Sequence, residues 1–250
     1  MDFESFVLCA ATDDLADAET AVAREYADAV EYRMDAVDAA ADAGAVSPSV
    51  TALAEYDGPL PVVATNRAAW EGGAAGPAVP PSEQDAVTAS EDRNRLESLA
   101  AAASVDGVEA VDVELASLAA DASGVDVVVS EAAAHDVAVV ASTHDFEGTP
   151  SRAAMRDALE GGLEYGDVAK LAVTAESRAD ALDVLAVTRE FAARGEPVAT
   201  MAMGEVGRHT RAVAPVYGSK IGYAPVDAAD ATAPGQYDLA TLAGLVESLS

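Results

Sequence analysis

Gly166-Asp-Val-Ala-Lys-Leu-Ala-Val-Thr174 sets a lysine inside a short apolar run that otherwise reads as a buried strand. The two-residue period of a strand puts Val168, Lys170 and Ala172 on one face and Ala169, Leu171 and Val173 on the other. Both faces read as buried, and one of them carries an amine. A desolvated ammonium is costly, so such a lysine either finds a carboxylate or gives up its proton and becomes a nucleophile toward carbonyls. The chain has only one other lysine, Lys220, which starts a strand instead of sitting within one.

Outward from this run, short β-type segments alternate with longer helical ones. Strands are predicted over Phe6 to Ala11, Ala29 to Met34, Pro61 to Thr65, Gly107 to Glu114, Val137 to Ser142, Val168 to Val173, Pro197 to Met203 and Ser219 to Tyr223. Helices are predicted over Leu15 to Ala27, Ser47 to Tyr56, Glu83 to Ala103, Asp126 to Ala134, Ser151 to Tyr165, Arg178 to Arg194 and Leu239 to Leu249, with a weak one after Gly207. Ser47 before Pro48, and Ser151, stand in N-cap positions. Eight βα units over 250 residues, with no break in composition, predict an α/β fold of one domain, a closed parallel (β/α)8 TIM barrel. An open doubly wound sheet is the alternative, but the Gly-x-Gly-x-x-Gly expected after its first strand is absent. Two long loops follow predicted strands, Asn66 to Ser82 and Ala224 to Tyr237, and either has the length of a lid.

A net charge of -30, with lysine almost absent, repels nucleic acid and anionic membranes. The balance resembles that of proteins from organisms that keep molar salt in the cytoplasm, and it predicts stability that rises with ionic strength. The N-terminus lacks a signal peptide, and no run approaches the roughly 18 apolar residues of a membrane span, so a cytoplasmic location is expected. Cys9, the only cysteine, lies in an apolar run and reads as a reduced core residue.

In a barrel the active site lies where the strands end. Read by their period, those ends collect Glu31, Arg33 and Asp35 from the second strand, and Arg67 and Glu71 after the third. The fourth adds Asp112 and Glu114, the fifth His144, the sixth Lys170, the seventh Gly204, Gly207 and Arg211, and the last loop Gln236. His135 and His209 have no such company and read as solvated. Metal chemistry has no ligand cluster to support it, and no Walker loop or Gly-x-Ser-x-Gly elbow is present. Arg211 with the two glycines suits either a phosphate or a carboxylate, which leaves open a phosphosugar aldolase and an enzyme acting on a carboxylated ring.

Ordered along the chain, Glu31-Tyr-Arg33-Met-Asp35, Ser142-Thr-His144-Asp-Phe146-Glu-Gly-Thr149-Pro150, the Lys170 strand, Met203-Gly204-x-x-Gly207-x-x-Thr210-Arg211 and Ala233-Pro234-Gly235-Gln236 resemble type I 3-dehydroquinate dehydratase, the Schiff-base enzyme of the shikimate pathway. The resemblance implies that Lys170 forms an imine with the ketone of 3-dehydroquinate. It further implies His144 as general acid and base with Glu71 beside it, and Glu31, Arg33, Arg67, Arg211, Thr232 and Gln236 as substrate ligands. No cofactor is implied, and since the family often forms dimers a homodimer is left open. Thr210 and Thr232 stand where the family usually has serine, which keeps the hydroxyl. The first barrel strand comes almost at once, whereas bacterial members carry an N-terminal hairpin over the barrel floor.

Overall fold

In the computed structural model, which describes residues 1–39, 47–231, 233 and 235–249, eight parallel strands curl into a nearly closed barrel. They are β1 (Val7–Thr12), β2 (Ala29–Arg33), β3 (Val62–Thr65), β4 (Val108–Glu114), β5 (Ala138–Asp145), β6 (Val168–Thr174), β7 (Val198–Met203) and β8 (Ile221–Pro225). Each pairs with the next from β1 to β7, and β8 lies on the other side of β1. The seam between β7 and β8 is stitched from the chain just before β8. There the Lys220 amide donates to the Val198 carbonyl at 2.8 Å, and the Thr200 amide to Ser219 Oγ at 3.0 Å.

The strand period sorts side chains into two cores. Inward positions Val7, Cys9, Ala29, Val63, Ala110, Val140, Val168 and Ala199 form a cluster of mostly small residues, as a narrow interior requires. Phe3 enters the same cluster and is 2% exposed, so the barrel floor is filled by an aromatic ring immediately ahead of β1. Its backbone takes φ 49, a costly conformation for a non-glycine residue that turns the ring under the strands. Outward positions such as Tyr32, Ala64, Val111, Val113 and Val139 pack under Leu53, Leu96, Leu99 and Val128 of the surrounding helices.

Helix starts follow their caps. Ser47 Oγ accepts from the Val50 amide ahead of Pro48–Glu55, and Ser151 Oγ from Ala154 ahead of Arg152–Tyr165. The helix predicted from Glu83 starts later, at Ala86–Ala103, because Asp85 and Thr88 close a reciprocal capping box that leaves Pro81–Glu83 as a separate 3-10 turn. The second strand also ends earlier than predicted. A short helix, Met34–Ala39, takes over at Met34, where the wholly buried side chain joins the outer core. Leu115–Ala119 is a further helix that the periodicity did not announce, and the weak segment after Gly207 becomes Thr210–Val213 with a 3-10 turn behind it. Among the described residues no helix is long and apolar enough to cross a membrane.

Candidate active site

At the carboxyl ends of the strands lies a pocket. Its walls carry Glu31, Arg33, Arg67, Glu71, His144, Lys170, Arg211 and Gln236, eight of the nine side chains that the sequence singles out for chemistry or binding. Thr232, the ninth, falls outside the described residues. Gly72, Phe146, Ala172, Met201, Met203, Tyr223 and Ala233 complete the lining.

Lys170 is 5% exposed, and of the two fates open to a buried amine it has found the carboxylate. Its Nζ donates to Asp112 Oδ2 at 2.8 Å, lies 3.9 Å from Glu31 Oε1, and sits 4.2 Å from the centre of the Tyr223 ring. Asp112 on β4 and Lys170 on β6 both point inward; the ladder sets Val140 of β5 beside Asp112 and Ser142 beside Lys170, and the tilt of strands in a barrel brings the two charged groups to one height. Asp112 is wholly buried, and its other oxygen accepts from Arg67 Nη2 at 2.6 Å and from Ser142 Oγ at 2.6 Å. Burial alone would raise this carboxyl, yet Arg67 and Lys170 beside it hold it far below the usual carboxylate range.

Arg67 is engaged by internal partners. Besides Asp112 it donates through Nη1 to Ser142 Oγ at 2.7 Å and to Glu114 Oε1 at 3.2 Å. The far oxygen of Glu114 pairs with Arg95 at 2.9 Å, and Arg95 pairs with Asp92 at 2.8 Å, so opposite charges alternate from the pocket floor out to the helix Ala86–Ala103. Buried charges are tolerable when every one is paired in this way. Arg33 makes a two-pronged bond to Asp35 at 2.9 and 2.8 Å, and the same carboxylate accepts from the Ala74 amide, which ties the loop after β3 to the end of β2.

That loop delivers Glu71. Its Oε1 accepts the backbone amide of His144 at 2.8 Å and lies 2.9 Å from the ring Nδ1. One oxygen thus holds both the backbone and the ring of His144, and in the tautomer where Nδ1 donates to it Nε2 keeps its lone pair. Burial, then the positive charges of Arg67 and Lys170, push His144 well below the usual histidine range. Burial pushes Glu71 up to about 8 against the pull of Arg67. The imidazole is therefore an uncharged base at neutral pH. Phe146 lies nearly parallel to it, with ring centres 6.1 Å apart. Gly72 makes room: at φ +81, a Cβ there would come within 2.3 Å of the Phe146 ring.

Arg211 stands apart from these pairs. It is 5% exposed, and its Nε and Nη2 have no hydrogen-bond partner among the described residues, while Nη1 reaches only Met201 Sδ at 3.7 Å. Burial lowers its pKa to about 10. Gly207 serves packing, since a Cβ would meet the Ala202 carbonyl at 2.6 Å, and Thr210 Oγ1, wholly buried, bonds to the Gly207 carbonyl and the Ala202 amide. Together they hold Arg211 at the end of β7. From the last loop Gln236 borders the pocket, its Oε1 accepting from the Ala233 amide at 3.0 Å.

Asp112, which the sequence places at the end of the fourth strand without a role, and Tyr223 are the closest neighbours of Lys170 that sequence reasoning did not assign. The two-residue period that picked Lys170 also turns both inward. His135 and His209 are exposed, as expected, and His135 bonds back to its own helix at the Glu131 carbonyl.

A family model described as type I 3-dehydroquinase matches residues 6–250 of the chain. A 3-dehydroquinate dehydratase of Halobacterium salinarum is 48% identical over 251 residues, spanning all of both chains. One of Haloarcula marismortui is 50% identical over 250 residues, all of this chain and 98% of the other. Among solved structures, the 3-dehydroquinate dehydratase of Geobacillus kaustophilus superposes with a TM-score of 0.77 at 28% identity, over 98% of this chain and 91% of that one. With a match along nearly the entire barrel and relatives at half identity, the chain belongs to the type I 3-dehydroquinase family.

Proposed function

We propose that the chain dehydrates 3-dehydroquinate to 3-dehydroshikimate through an imine on Lys170, with His144 moving the protons. The reading is carried by one observation: Lys170 Nζ and the His144 imidazole, from neighbouring strands, line one pocket beside an arginine with no charged partner among the described residues. His144 Nε2 takes a proton from the ammonium, and the freed amine adds to the C3 ketone. The protonated imidazole returns the proton as the carbinolamine loses water, leaving a cationic iminium. This electron sink acidifies C2, from which Nε2 removes a proton to give an enamine. The enamine expels the C1 hydroxyl, protonated by His144, as water, and hydrolysis of the conjugated iminium releases the enone and the amine.

Glu71 supports this by fixing the ring through Nδ1 and so presenting Nε2 to the ring protons. Arg211 receives the substrate carboxylate, which gives its buried guanidinium the partner it lacks. Glu31, Arg33, Gln236 and, by resemblance, Thr232 face the ring hydroxyls. Arg67 works at one remove by holding Asp112. The test is borohydride reduction in the presence of 3-dehydroquinate at molar potassium chloride, with peptide mapping of the product. A reduced adduct on Lys170 is expected. Modification elsewhere, or cleavage of a phosphosugar instead of formation of an enone, would set the reading aside.

Arg211→Met separates binding from stability. It is expected to raise KM roughly 100-fold, because a desolvated carboxylate loses its charged hydrogen bonds. It is also expected to stabilise the ligand-free fold by about 1–3 kcal/mol, since a buried charge without a partner is replaced by an apolar chain of similar length. Thermal unfolding and steady-state kinetics on one preparation check both signs.

A further inference from the structure

No step of the proposed reaction uses Asp112, although it is the group that Lys170 Nζ touches most closely. We infer that Asp112 is the counter-ion of the protonated imine and keeps it cationic through the reaction. This rests on the Lys170 reading and adds a residue to it.

An ammonium has three N–H bonds and the iminium retains one. In the present geometry Nζ already directs an N–H to Asp112 Oδ2 at 2.8 Å. That bond need not break during condensation: the proton passed to His144 and the proton lost as the imine forms come from the side facing the ketone. The N–H left on the iminium nitrogen therefore points at a carboxylate. Glu31 is the only other carboxylate near Nζ among the described residues. Its Oε1 lies farther off at 3.9 Å and accepts from Thr65 Oγ1 at 3.1 Å.

Asp112 is built to stay an anion. Two donors, Arg67 Nη2 and Ser142 Oγ, fill Oδ1 at 2.6 Å each, which leaves Oδ2 to the nitrogen. The wholly buried site keeps water from screening the pair. From the other side the face of the Tyr223 ring, 4.2 Å from Nζ, favours the same positive charge. A carboxylate fixed before the reaction at the place where positive charge develops costs no reorganisation when the iminium forms. The charge appears, vanishes in the enamine and returns in the conjugated iminium, so the anion lowers both cationic states relative to the neutral one between them.

The experiment uses the full chain in molar potassium chloride, with Asp112→Asn and Ser142→Ala beside the wild type and folding checked by circular dichroism. Borohydride labelling of Lys170 with 3-dehydroquinate is measured from about pH 6 to pH 10, since hydride reduces the cation far faster than the neutral imine. The wild type is expected to label evenly across the range. Asp112→Asn should lose label at the alkaline end by at least about tenfold, and its kcat should fall roughly 10²- to 10³-fold with KM within about threefold. Ser142→Ala, which removes one of the two anchors, should shift the labelling profile in the same direction by less. An Asp112→Asn protein that folds and labels with the wild-type pH profile refutes the counter-ion role, however low its kcat. If Asp112→Asn does not fold, the Ser142→Ala profile decides, an unchanged one counting against the proposal. Absence of label on Lys170 in the wild type would instead refute the imine reading itself.

Discussion

Lys170→Met should abolish turnover, lowering kcat by at least about 10⁴-fold, because no other side chain in the pocket can replace the covalent step. The other lysine, Lys220, precedes β8 at the opposite end of the barrel from the pocket and donates to the Glu4 carbonyl. Methionine approximates the length of the lysine stem, and Asp112 keeps Arg67 and Ser142 as partners, so the variant should fold. Substrate should still bind, since Arg211 is untouched. The measurement is a progress curve of enone absorbance, with equilibrium binding of 3-dehydroquinate to the same protein. Turnover within about tenfold of the wild type would mean that the amine is not the nucleophile.

His144→Ala should slow formation of the imine and stall the elimination that follows it. Removing a general acid and base is expected to cost roughly 10²- to 10⁴-fold in kcat. Borohydride should then trap on Lys170 an adduct one water heavier than the one trapped on the wild type, because the ring is held before elimination. Mass spectrometry of the labelled peptide distinguishes the two. The pH dependence has a definite sign. The working form of His144 is the neutral one, and burial together with Arg67 and Lys170 pushes its pKa well below 6.5. Wild-type kcat should therefore hold as pH falls through the ordinary histidine range, and decline only below it. A decline centred on the ordinary histidine value would show that the imidazole is neither desolvated nor under the influence of the two cations.

Both results depend on a cluster in which almost every buried charge has a partner. Lys170, Asp112, Arg67, Glu114, Arg95 and Asp92 form one alternating series, and Arg211 has no charged partner among the described residues. Such an arrangement fixes the amine and the imidazole in place before any ligand arrives, at the expense of one desolvated guanidinium.

The barrel was legible because strand and helix periods are local properties. Eight apolar runs with alternating faces, separated by capped helices, admit few other folds, and the inward position of Lys170 comes from the same alternation. Binding and catalytic side chains could be nominated because a barrel brings all strand ends to one face. Two of the boundaries that moved, at Met34 and Asp85, were set by burial of one side chain and by one capping box. Partnership was beyond the sequence's reach. Lys170 could be expected to meet some carboxylate, but whether this was Asp112, Glu31 or Glu114 depended on register across three strands and on which acid Arg67 had already taken. Arg211 read alone suited a phosphate or a carboxylate, and only packing around it showed that it lacks a charged partner among the described residues. Inwardness is decided by neighbours in the chain, whereas the pairing of Arg67 with Asp112 and Glu114 and of Lys170 with Asp112 is decided by distances between residues from 45 to 58 positions apart, which exist only once the strands have closed.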